Sequence, residues 1–509
     1  MNRSLKSSTY LRITGKIASW TMISRILGFA RDLLFASFFG ASATFDAFLV
    51  AFKIPNYMRR FFSEGALTQA FIPIYTQIHQ SEPKHAKIIA TQTALLLGSF
   101  LSMLTIFVIL KPAWFIKLFA WGLVNDQTRF NLACQMIQWT FPFLLFIALT
   151  TLLSGVMNTH NIFGLPAFLP TILNITLISA VLIQIPNITP GIKISMAVTL
   201  AGLLQFLIAL FRAYPYLGFS RHWDLQSLKK ILIGMTIILG GAIFSQINAI
   251  FDTIFASFLP RGSISWLYYA DRLCHLPIGV ITVSISTLLL PKLSLAITNK
   301  DSTMRQQQIT WGIQIILAGI IPCITMLALF GKQIVICLFY HGSFSTNDVT
   351  MTYHALMAMT FGLPAFMFIK LLYTIFYAHK SIKKPTYVSC MGAIISISLN
   401  CLLVPIYKHV GIALTNSISC WIQCFVLLYL ANQNQWVKLN YTIMFKWLHA
   451  FALTFSTLLV IKLIAPSSAW WLQHATSQRF ELLFLISTLF VIAYFIQIRW
   501  IGLGKELKL

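Results

Sequence analysis

Long apolar runs separated by short polar segments are the most regular feature of the chain. Runs of about 20 residues match the hydrocarbon core of a bilayer. The pattern predicts fourteen membrane-spanning helices joined by short connections, with no soluble domain between them. Their approximate bounds are 18–40, 44–78 (with a break), 88–110, 130–156, 165–185, 192–214, 228–258, 266–297, 308–338, 350–378, 386–406, 410–431, 442–465 and 481–503.

The composition of the 509-residue chain agrees with this pattern. Hydrophobic residues make up 58% of the chain and charged residues only 10%, whereas soluble domains carry about 25% charged residues. A transmembrane barrel would show short alternating segments instead of long apolar runs. The fold class we expect is an all-α polytopic membrane protein with about 14 transmembrane helices.

Basic residues dominate the charge of the chain. It has 37 Lys and Arg residues against 12 Asp and Glu residues, a net charge of +25. With the N-terminus inside, the inner loops carry more than twice as many basic residues as the outer loops, as is typical of cytoplasmic loops. We therefore expect both termini in the cytoplasm and contacts with anionic lipid headgroups, not a nucleic-acid partner.

Short motifs recur at an offset of about 220 residues, and this repeat predicts the domain organisation. For example, FASFF at 35–39 recurs as FASFL at 255–259. Repeats of this kind are common in secondary transporters, which bind substrate between the repeats. We expect two pseudo-symmetric six-helix lobes and two additional C-terminal helices, with bounds 1–218, 219–435 and 436–509.

The first span contains the segment SRILGFARD, in which charges lie at a depth where charge is costly. Ser24, Gly28 and Arg31 share one helical face, as do Arg25, Gly28 and Asp32. The central glycine permits the close approach of another backbone. Asp32 can pair with Arg25 or Arg31, but one carboxylate does not account for both arginines.

The second span carries a stripe of polar side chains at helical spacing: Asp46, Lys53, Asn56, Arg60 and Glu64. Arg59 lies beside this stripe. Pro55 lacks an N–H group, so it should kink the helix and free a carbonyl. Two simpler interpretations stay open, because Arg59 and Arg60 can extend to the inner interface and Glu64 can pair with Arg60.

Further charges lie inside later spans. In the segment YYADRLCHLP of the eighth span, Asp271 and Arg272 each share a helical face with His275. Lys370 lies deep in the tenth span with no acid within its own helical turn. An isolated lysine is expensive there, so we expect it to face a water-filled cavity and not the protein core.

The excess of cations within the spans indicates an anionic substrate. Arginine binds phosphate through paired hydrogen bonds, so a phosphate-bearing substrate fits best. The eight cysteines are scattered without a CxxC motif, and the eleven histidines show no HExxH spacing. We therefore expect a transporter without a metal or cofactor, driven by the membrane potential or an ion gradient, and not an enzyme.

Three segments resemble the MurJ/MviN lipid II flippases of the multidrug/oligosaccharidyl-lipid/polysaccharide exporter superfamily. They are SRILGFARD, DAFLVAFKIPNYMRRFFSEGALTQAFIP and GSISWLYYADRLCHLP. The resemblance implies two lobes around a central cavity, with the two C-terminal helices forming a groove for a polyprenyl tail. It also implies movement of undecaprenyl-diphosphate-linked disaccharide-pentapeptide from the inner to the outer leaflet of the bacterial inner membrane, by alternating access.

The same resemblance implies site residues. The cavity positions of the family correspond to Arg25, Arg31, Arg59, Arg272, Ser24 and Ser265. The important second-span aspartate corresponds to Asp46, and we assign conformational or gating roles to Asp46, Lys53, Glu64, His275 and Lys370. Where many members have glutamate, this chain has His275. An Arg272–Glu gate pair is therefore not available, and a histidine could make the gate sensitive to pH.

The sequence leaves other functions open beside that of a lipid II flippase. A flippase for another polyprenyl-diphosphate-linked oligosaccharide would share the same features. A membrane glycosyltransferase would need a carboxylate base or metal-binding acids in a loop, but the loop acids are isolated. A scaffold would not explain charged, kinked helices in a repeat. The expected partners are lipid II and membrane lipids, and cell-wall synthesis or division proteins are candidates.

Overall fold

Helices make up 88% of the residues that the structure describes, and these residues contain no β-strand. The structure is a computed structural model that describes the backbone of residues 7–437 and 441–503. Within these ranges it describes all side chains except those of residues 7–14, 63–66, 237, 239–245 and 280–287. Nine of the described helical segments are long and apolar enough to cross a membrane. The all-helical membrane fold is thus confirmed, and the count of fourteen stays a prediction.

The chain divides into two units, Met1–Gly262 and Ser263–Leu509. The α-helices of the first unit are α1 (Ser7–Phe39), α2 (Ala43–Arg59), α3 (Thr68–Ser81), α4 (Pro83–Leu110), α5 (Pro112–Phe119), α6 (Gln127–Thr140), α7 (Pro142–Thr159), α8 (Gly164–Leu182), α9 (Pro190–Ala213) and α10 (Leu225–Ser257). Short 3₁₀ helices cover Trp121–Asn125 and Tyr214–Tyr216. Each unit is described by itself.

Aromatic side chains form much of the core where α1 meets α2. Phe35, Phe39, Phe45 and Phe48 are all buried, and neighbouring ring centroids lie 5.5–6.1 Å apart. Edge-to-face and offset pairs at this distance are favourable beyond the area that they bury. Further along, α1 packs on α8, while α10 packs on α3. The lobe bounds at 218 and 435 stay a prediction.

The predicted break in the second span is a π-helix, Arg60–Leu67, between α2 and α3. Just before it, Pro55 lies inside α2 and cannot donate to the carbonyl of Ala51. The Thr140 hydroxyl on α6 donates to that carbonyl at 2.8 Å. The freed carbonyl that the proline predicts is therefore present, and it joins α2 to α6.

The described residues of the second unit form seven helices: α11 (Ser263–Thr298), α12 (Ser302–Phe339), α13 (Thr346–Ala378), α14 (Lys383–Gln433), α15 (Tyr441–Ile464), α16 (Ser468–Gln473) and α17 (Thr476–Trp500). A kink at Lys408, with φ 52° and ψ −130°, divides α14. It lies between the predicted spans 386–406 and 410–431. The last two long helices pack on α12, where the Tyr494 hydroxyl donates to the Ala318 carbonyl at 2.7 Å.

A close approach of α13 to α14 leads to a stability prediction. A Cβ atom at Gly362 would lie 2.7 Å from the Ser417 Cα atom, and the Ser417 hydroxyl donates to the Ala358 carbonyl at 2.7 Å. Gly362→Ala should therefore destabilise the chain by about 1–3 kcal/mol through overpacking, measured as a lower Tm in detergent.

The matched control is Gly98→Ala in α4. Its Cβ atom would meet only the Leu149 side chain, at an ordinary distance of 3.7 Å, and alanine favours a helix over glycine. We expect an unchanged or slightly higher Tm for this variant. An equal loss of Tm for both variants would contradict the close packing of α13 on α14.

Candidate functional site

The charged strip of α1 contains a buried ion pair between neighbouring residues. Arg31 donates to Asp32 Oδ1 from Nη2 at 2.7 Å and from Nε at 3.0 Å. The two residues are 6% and 2% exposed. The Arg31 Nη1 atom donates to Asn174 Oδ1 on α8 at 2.9 Å. Arg31 is therefore held by Asp32 and Asn174 on two sides.

Asn174 also joins this pair to Ser24. Its amide donates to the Ser24 carbonyl at 2.9 Å and to the Ser24 hydroxyl at 3.4 Å. A Cβ atom at Gly28 would lie 3.6 Å from the same amide, an ordinary van der Waals distance, so the packing of α8 here does not require a glycine. The sequence alone did not identify Asn174, although an asparagine in an apolar helix is the kind of residue that forms interhelical hydrogen bonds.

Arg25 differs from Arg31 in its surroundings. Its side chain is exposed, and it forms no hydrogen bond or ion pair with the residues that the structure describes. Of the two arginines that the sequence allows as partners, Arg31 is therefore the one that pairs with Asp32. Arg25 is accessible to a ligand.

The π-helix interrupts the stripe predicted for the second span. Because it begins at Arg60, the regular helical spacing assumed for the stripe does not extend to Glu64, whose side chain lies outside the described residues. Arg60 is exposed and donates to Gln246 Oε1 on α10 at 2.8 Å. Arg59 and Lys53 are half-buried, and Arg59 Nε donates to Asn56 Oδ1 at 3.4 Å.

Asp46 is fully buried and holds the segment that follows α10. Its Oδ2 atom accepts from the Gly262 N–H group at 2.7 Å, and Arg129 Nη1 lies 3.6 Å from the same oxygen. Gly262 has a φ of 92°, which glycine adopts without strain. Charge-assisted hydrogen bonds are stronger than neutral ones. Asp46 therefore binds this turn firmly.

Asp126 extends this arrangement to two arginines. It caps α6, and its Oδ2 atom accepts from Arg129 Nε at 3.0 Å and from Arg261 Nε at 2.7 Å. Arg129 Nη2 also donates to the Leu259 carbonyl at 3.0 Å. We refer to Asp46, Asp126, Arg129 and Arg261 as the Asp46–Asp126 network. From the sequence, Asp126 was only an isolated loop acid and the two arginines were loop charges.

The electrostatics of the network follow from these contacts. The hydrogen bond from Arg261, together with those from Arg129, lowers the pKa of Asp126 to about 2. Arg129 is only 5% exposed, and its guanidinium lies between the carboxylates of Asp46 and Asp126. The network therefore connects the start of α2, the start of α6 and the turn after α10 through charge.

The predicted residues of the second unit lie on α11 and α13. Arg272 Nη2 donates to the Tyr268 hydroxyl at 3.3 Å, and its guanidinium lies 4.7 Å from the Tyr268 ring centroid. His275 Nδ1 lies 3.0 Å from Asp271 Oδ1. His275 is thus paired with an acid one turn earlier.

Ser265 and Lys370 lie in contrasting environments. Ser265 is fully buried, whereas the Lys370 side chain is exposed and forms no ion pair with the residues that the structure describes. Within those residues, no group of three or more His, Cys, Asp or Glu side chains could hold a metal ion. The exposed cations Arg25 and Lys370 are suited to binding an anion.

Comparison with known proteins identifies the family. The family profile described as "Lipid II flippase MurJ" matches residues 35–491. The chain belongs to the MurJ lipid II flippase family. The probable lipid II flippase MurJ of Buchnera aphidicola subsp. Schizaphis graminum is 34% identical over 95% of both chains. The lipid II flippase MurJ of Burkholderia cenocepacia is 34% identical over 81% of both chains.

Solved structures agree with this membership. A lipid II flippase MurJ in an inward closed conformation matches with a TM-score of 0.80 and 26% identity, over 95% of this chain and 98% of that one. A multidrug resistance MATE family transporter of the MOP superfamily, in an inward-facing conformation, shares the fold with a TM-score of 0.68 and 12% identity, over 82% and 97% of the two chains. The resemblance of the sequence to the MurJ family is confirmed, and the protein is a multi-pass membrane protein.

Removal of the Asp126 carboxylate should weaken the Asp46–Asp126 network. In Asp126→Asn, Arg129 and Arg261 lose a charged acceptor, and we expect a loss of about 1–3 kcal/mol, measured as a lower Tm in detergent and faster proteolysis near Leu259. Glu82→Gln removes one exposed carboxylate and should leave both measurements unchanged. Equal behaviour of the two variants would contradict the structural role of Asp126.

The stability that the Asp126 carboxylate contributes to the folded chain should be lost in acid. A carboxylate whose pKa is lowered in the folded chain adds stability above its unfolded pKa, near 3.9, and loses it as the pH falls towards its folded pKa. For Asp126 the folded pKa is about 2. The Tm difference between wild type and Asp126→Asn should be constant above about pH 5 and shrink between about pH 4 and pH 2. A difference independent of pH would show that the charge is not responsible.

Proposed function

We propose that this chain flips lipid II, the undecaprenyl-diphosphate-linked peptidoglycan precursor, from the inner to the outer leaflet by alternating access. The family match over residues 35–491 is the observation that carries this assignment. The agreement with a solved MurJ structure, with a TM-score of 0.80, supports it. The chain is a transporter and not an enzyme.

The membrane layout that we propose has fourteen transmembrane helices and cytoplasmic termini. The excess of basic residues in the predicted inner loops supports this orientation. The internal repeat supports two six-helix lobes, 1–218 and 219–435. The helices of 436–509 are proposed to form the groove for the lipid tail, since residues such as Leu463 and Phe484 expose 79% and 75% of their surface.

The surroundings of the arginines suggest different roles in binding the diphosphate. Arg25 is exposed and accessible, so a phosphate does not have to displace another carboxylate from it. Arg31 would have to give up its contacts with Asp32 and Asn174. We therefore assign Arg25 to direct phosphate binding and Arg31 to the support of α1.

The other predicted site residues complete this assignment. Arg59 and Arg272 are proposed to contribute further phosphate contacts, and Arg272 is oriented by the Tyr268 ring. Ser24 and Ser265 are proposed as lining residues. Lys53, Glu64, His275 and Lys370 keep their proposed roles in gating.

Asp46 is proposed to stabilise one access state. It binds the turn before α11 through the Gly262 N–H group, so any conformation that moves this turn away from α2 has to break a buried, charged hydrogen bond. A hydrogen bond to a charged group contributes about 1.5–3 kcal/mol. An interaction of this size is large enough to set the population of two states.

The energy for transport is proposed to come from the membrane potential or an ion gradient, without a cofactor. One elementary charge that crosses the field gains about 2.3 kcal/mol per 100 mV. That amount shifts a two-state equilibrium by more than tenfold, because 1.4 kcal/mol corresponds to a factor of about ten. Cell-wall synthesis or division proteins are proposed as partners.

A flippase for another polyprenyl-diphosphate-linked oligosaccharide is the alternative. Such a substrate shares the diphosphate and differs in its sugars and peptide, so the arginines do not distinguish the two. Depletion separates them, because loss of a lipid II flippase should cause lysis, with lipid II retained on the cytoplasmic side.

The two arginines of α1 should respond differently to substitution. In proteoliposomes with purified lipid II, Arg25→Ala should lower the flipping rate about tenfold or more, as expected for the loss of a charged phosphate contact, with an unchanged Tm in detergent. Arg31→Ala should lower both, because it leaves Asp32 buried without its cation, at a cost of about 3–5 kcal/mol.

Arg212→Ala is the control for both variants. Arg212 is an exposed arginine in the last turn of α9, so this change should leave the flipping rate and the Tm at wild-type values. A wild-type flipping rate for Arg25→Ala would refute its assignment to the phosphate.

A further inference from the structure

A basic cavity lies in the second unit, and none of its lining residues is assigned to the substrate. It has a volume of about 840 Å³ and is lined by the end of α11, the start of α12 and the segment after α14. Two cations, Lys292 and Arg305, are part of its wall, together with amide side chains such as Gln314. None of the described residues that line it is acidic. Its size is within the usual range for ligand pockets.

Arg305 is not satisfied by its protein contacts. Its Nη2 atom lies 3.5 Å from the Gln435 carbonyl, which is a weak hydrogen bond. Its Nε atom is buried without a hydrogen-bond partner among the described residues. The nearest acid along the chain, Asp301, caps α12 by accepting from the Met304 N–H group at 2.8 Å. The guanidinium therefore has donors available for an anion.

Lys292 lies beside an aromatic ring in the wall of the same cavity. Its Nζ atom lies 5.9 Å from the ring centroid of Trp311, within the range of a cation–π contact. The side chain is nevertheless exposed, so its ammonium group can bind a ligand. Tryptophan is also enriched at the membrane interface, where the predicted inner ends of α11 and α12 lie.

Apolar residues next to Lys292 favour a lipid over a soluble anion. Leu288 and Leu295 lie four residues before and three residues after Lys292, and thus on the same face of α11. They are 51% and 59% exposed. A headgroup bound at Lys292 would therefore have apolar surface beside it for its acyl chains.

We propose that this cavity binds the phosphate of an anionic phospholipid headgroup from the inner leaflet. Arg305 and Lys292 bind the phosphate, and Leu288 and Leu295 contact the acyl chains. Basic pockets between membrane helices on the cytoplasmic side are suited to such headgroups. The site shares no residue with the proposed substrate site, so the proposal does not rest on lipid II transport.

Native mass spectrometry of the full chain in detergent tests this site. The probes are phosphatidylglycerol, phosphatidylcholine and inorganic phosphate. Lys292→Gln combined with Arg305→Gln should lower the affinity for phosphatidylglycerol about tenfold, since both phosphate-binding cations are lost. Phosphatidylcholine binding should not change. Lys229→Gln combined with Lys230→Gln removes the same charge from two exposed positions of α10 and should keep the affinity of wild type.

Three results would overturn the proposal. They are an unchanged affinity in the Lys292/Arg305 variant, an equal loss in the Lys229/Lys230 variant, and displacement of phosphatidylglycerol by inorganic phosphate at equal concentration, which would indicate a soluble ligand. If the double variant does not fold, the single variants Lys292→Gln and Arg305→Gln provide the test. Each removes one phosphate-binding cation and should lower the affinity for phosphatidylglycerol several-fold, and wild-type affinity in both would contradict the site.

Discussion

Much of the first unit depends on the contacts that the buried carboxylate of Asp46 makes. A charge without exposed surface has to be paired and hydrogen-bonded, or it costs too much to bury. Asp46 meets this requirement with the Gly262 N–H group and the Arg129 guanidinium. Arg129 in turn needs Asp126. The positions of α2, α6 and the turn after α10 are therefore coupled. If one of them moved away, a buried charge would lose its partner in an apolar environment.

The same requirement shapes the first helix. Asp32 is buried beside Arg31, and the pair still needs a polar neighbour because one carboxylate oxygen does not satisfy all five donors of a guanidinium. Asn174 supplies that neighbour, and its amide group then binds Ser24. A short network of this kind fixes α1 on α8 with few polar atoms, which suits a helix pair that is otherwise apolar.

Much of the fold could be predicted from the sequence, because membrane helices are recognised by their length and apolar composition alone. The all-helical class, the break in the second span and the effect of Pro55 were predictable for this reason. The π-helix from Arg60 was not, since the spacing argument assumes a constant helical period, and it therefore extended the polar stripe too far. The sequence predicted the spans on either side of Lys408, but it did not predict the positive φ of Lys408 that forms the kink.

The site was less predictable than the fold, because partners distant in sequence decide what each charge does. Helical spacing placed Arg25, Arg31 and Asp32 together, but only the structure shows that Asn174 joins them. Asp126 and Arg129 are close in sequence, yet their importance comes from Asp46 and Leu259, far away along the chain. Local pattern thus finds the charged residues and leaves their pairing undetermined.

Pairing separates the charges of this chain into two groups. Arg31, Arg129 and Asp46 are buried, and their partners make them part of the scaffold. Arg25 and Lys370 are exposed and have no ion-pair partner among the described residues. A membrane helix that keeps such a cation carries an energetic cost that its own fold does not offset. An anionic ligand would offset this cost while it is bound, which is why we propose Arg25, and not the paired Arg31, for direct phosphate binding.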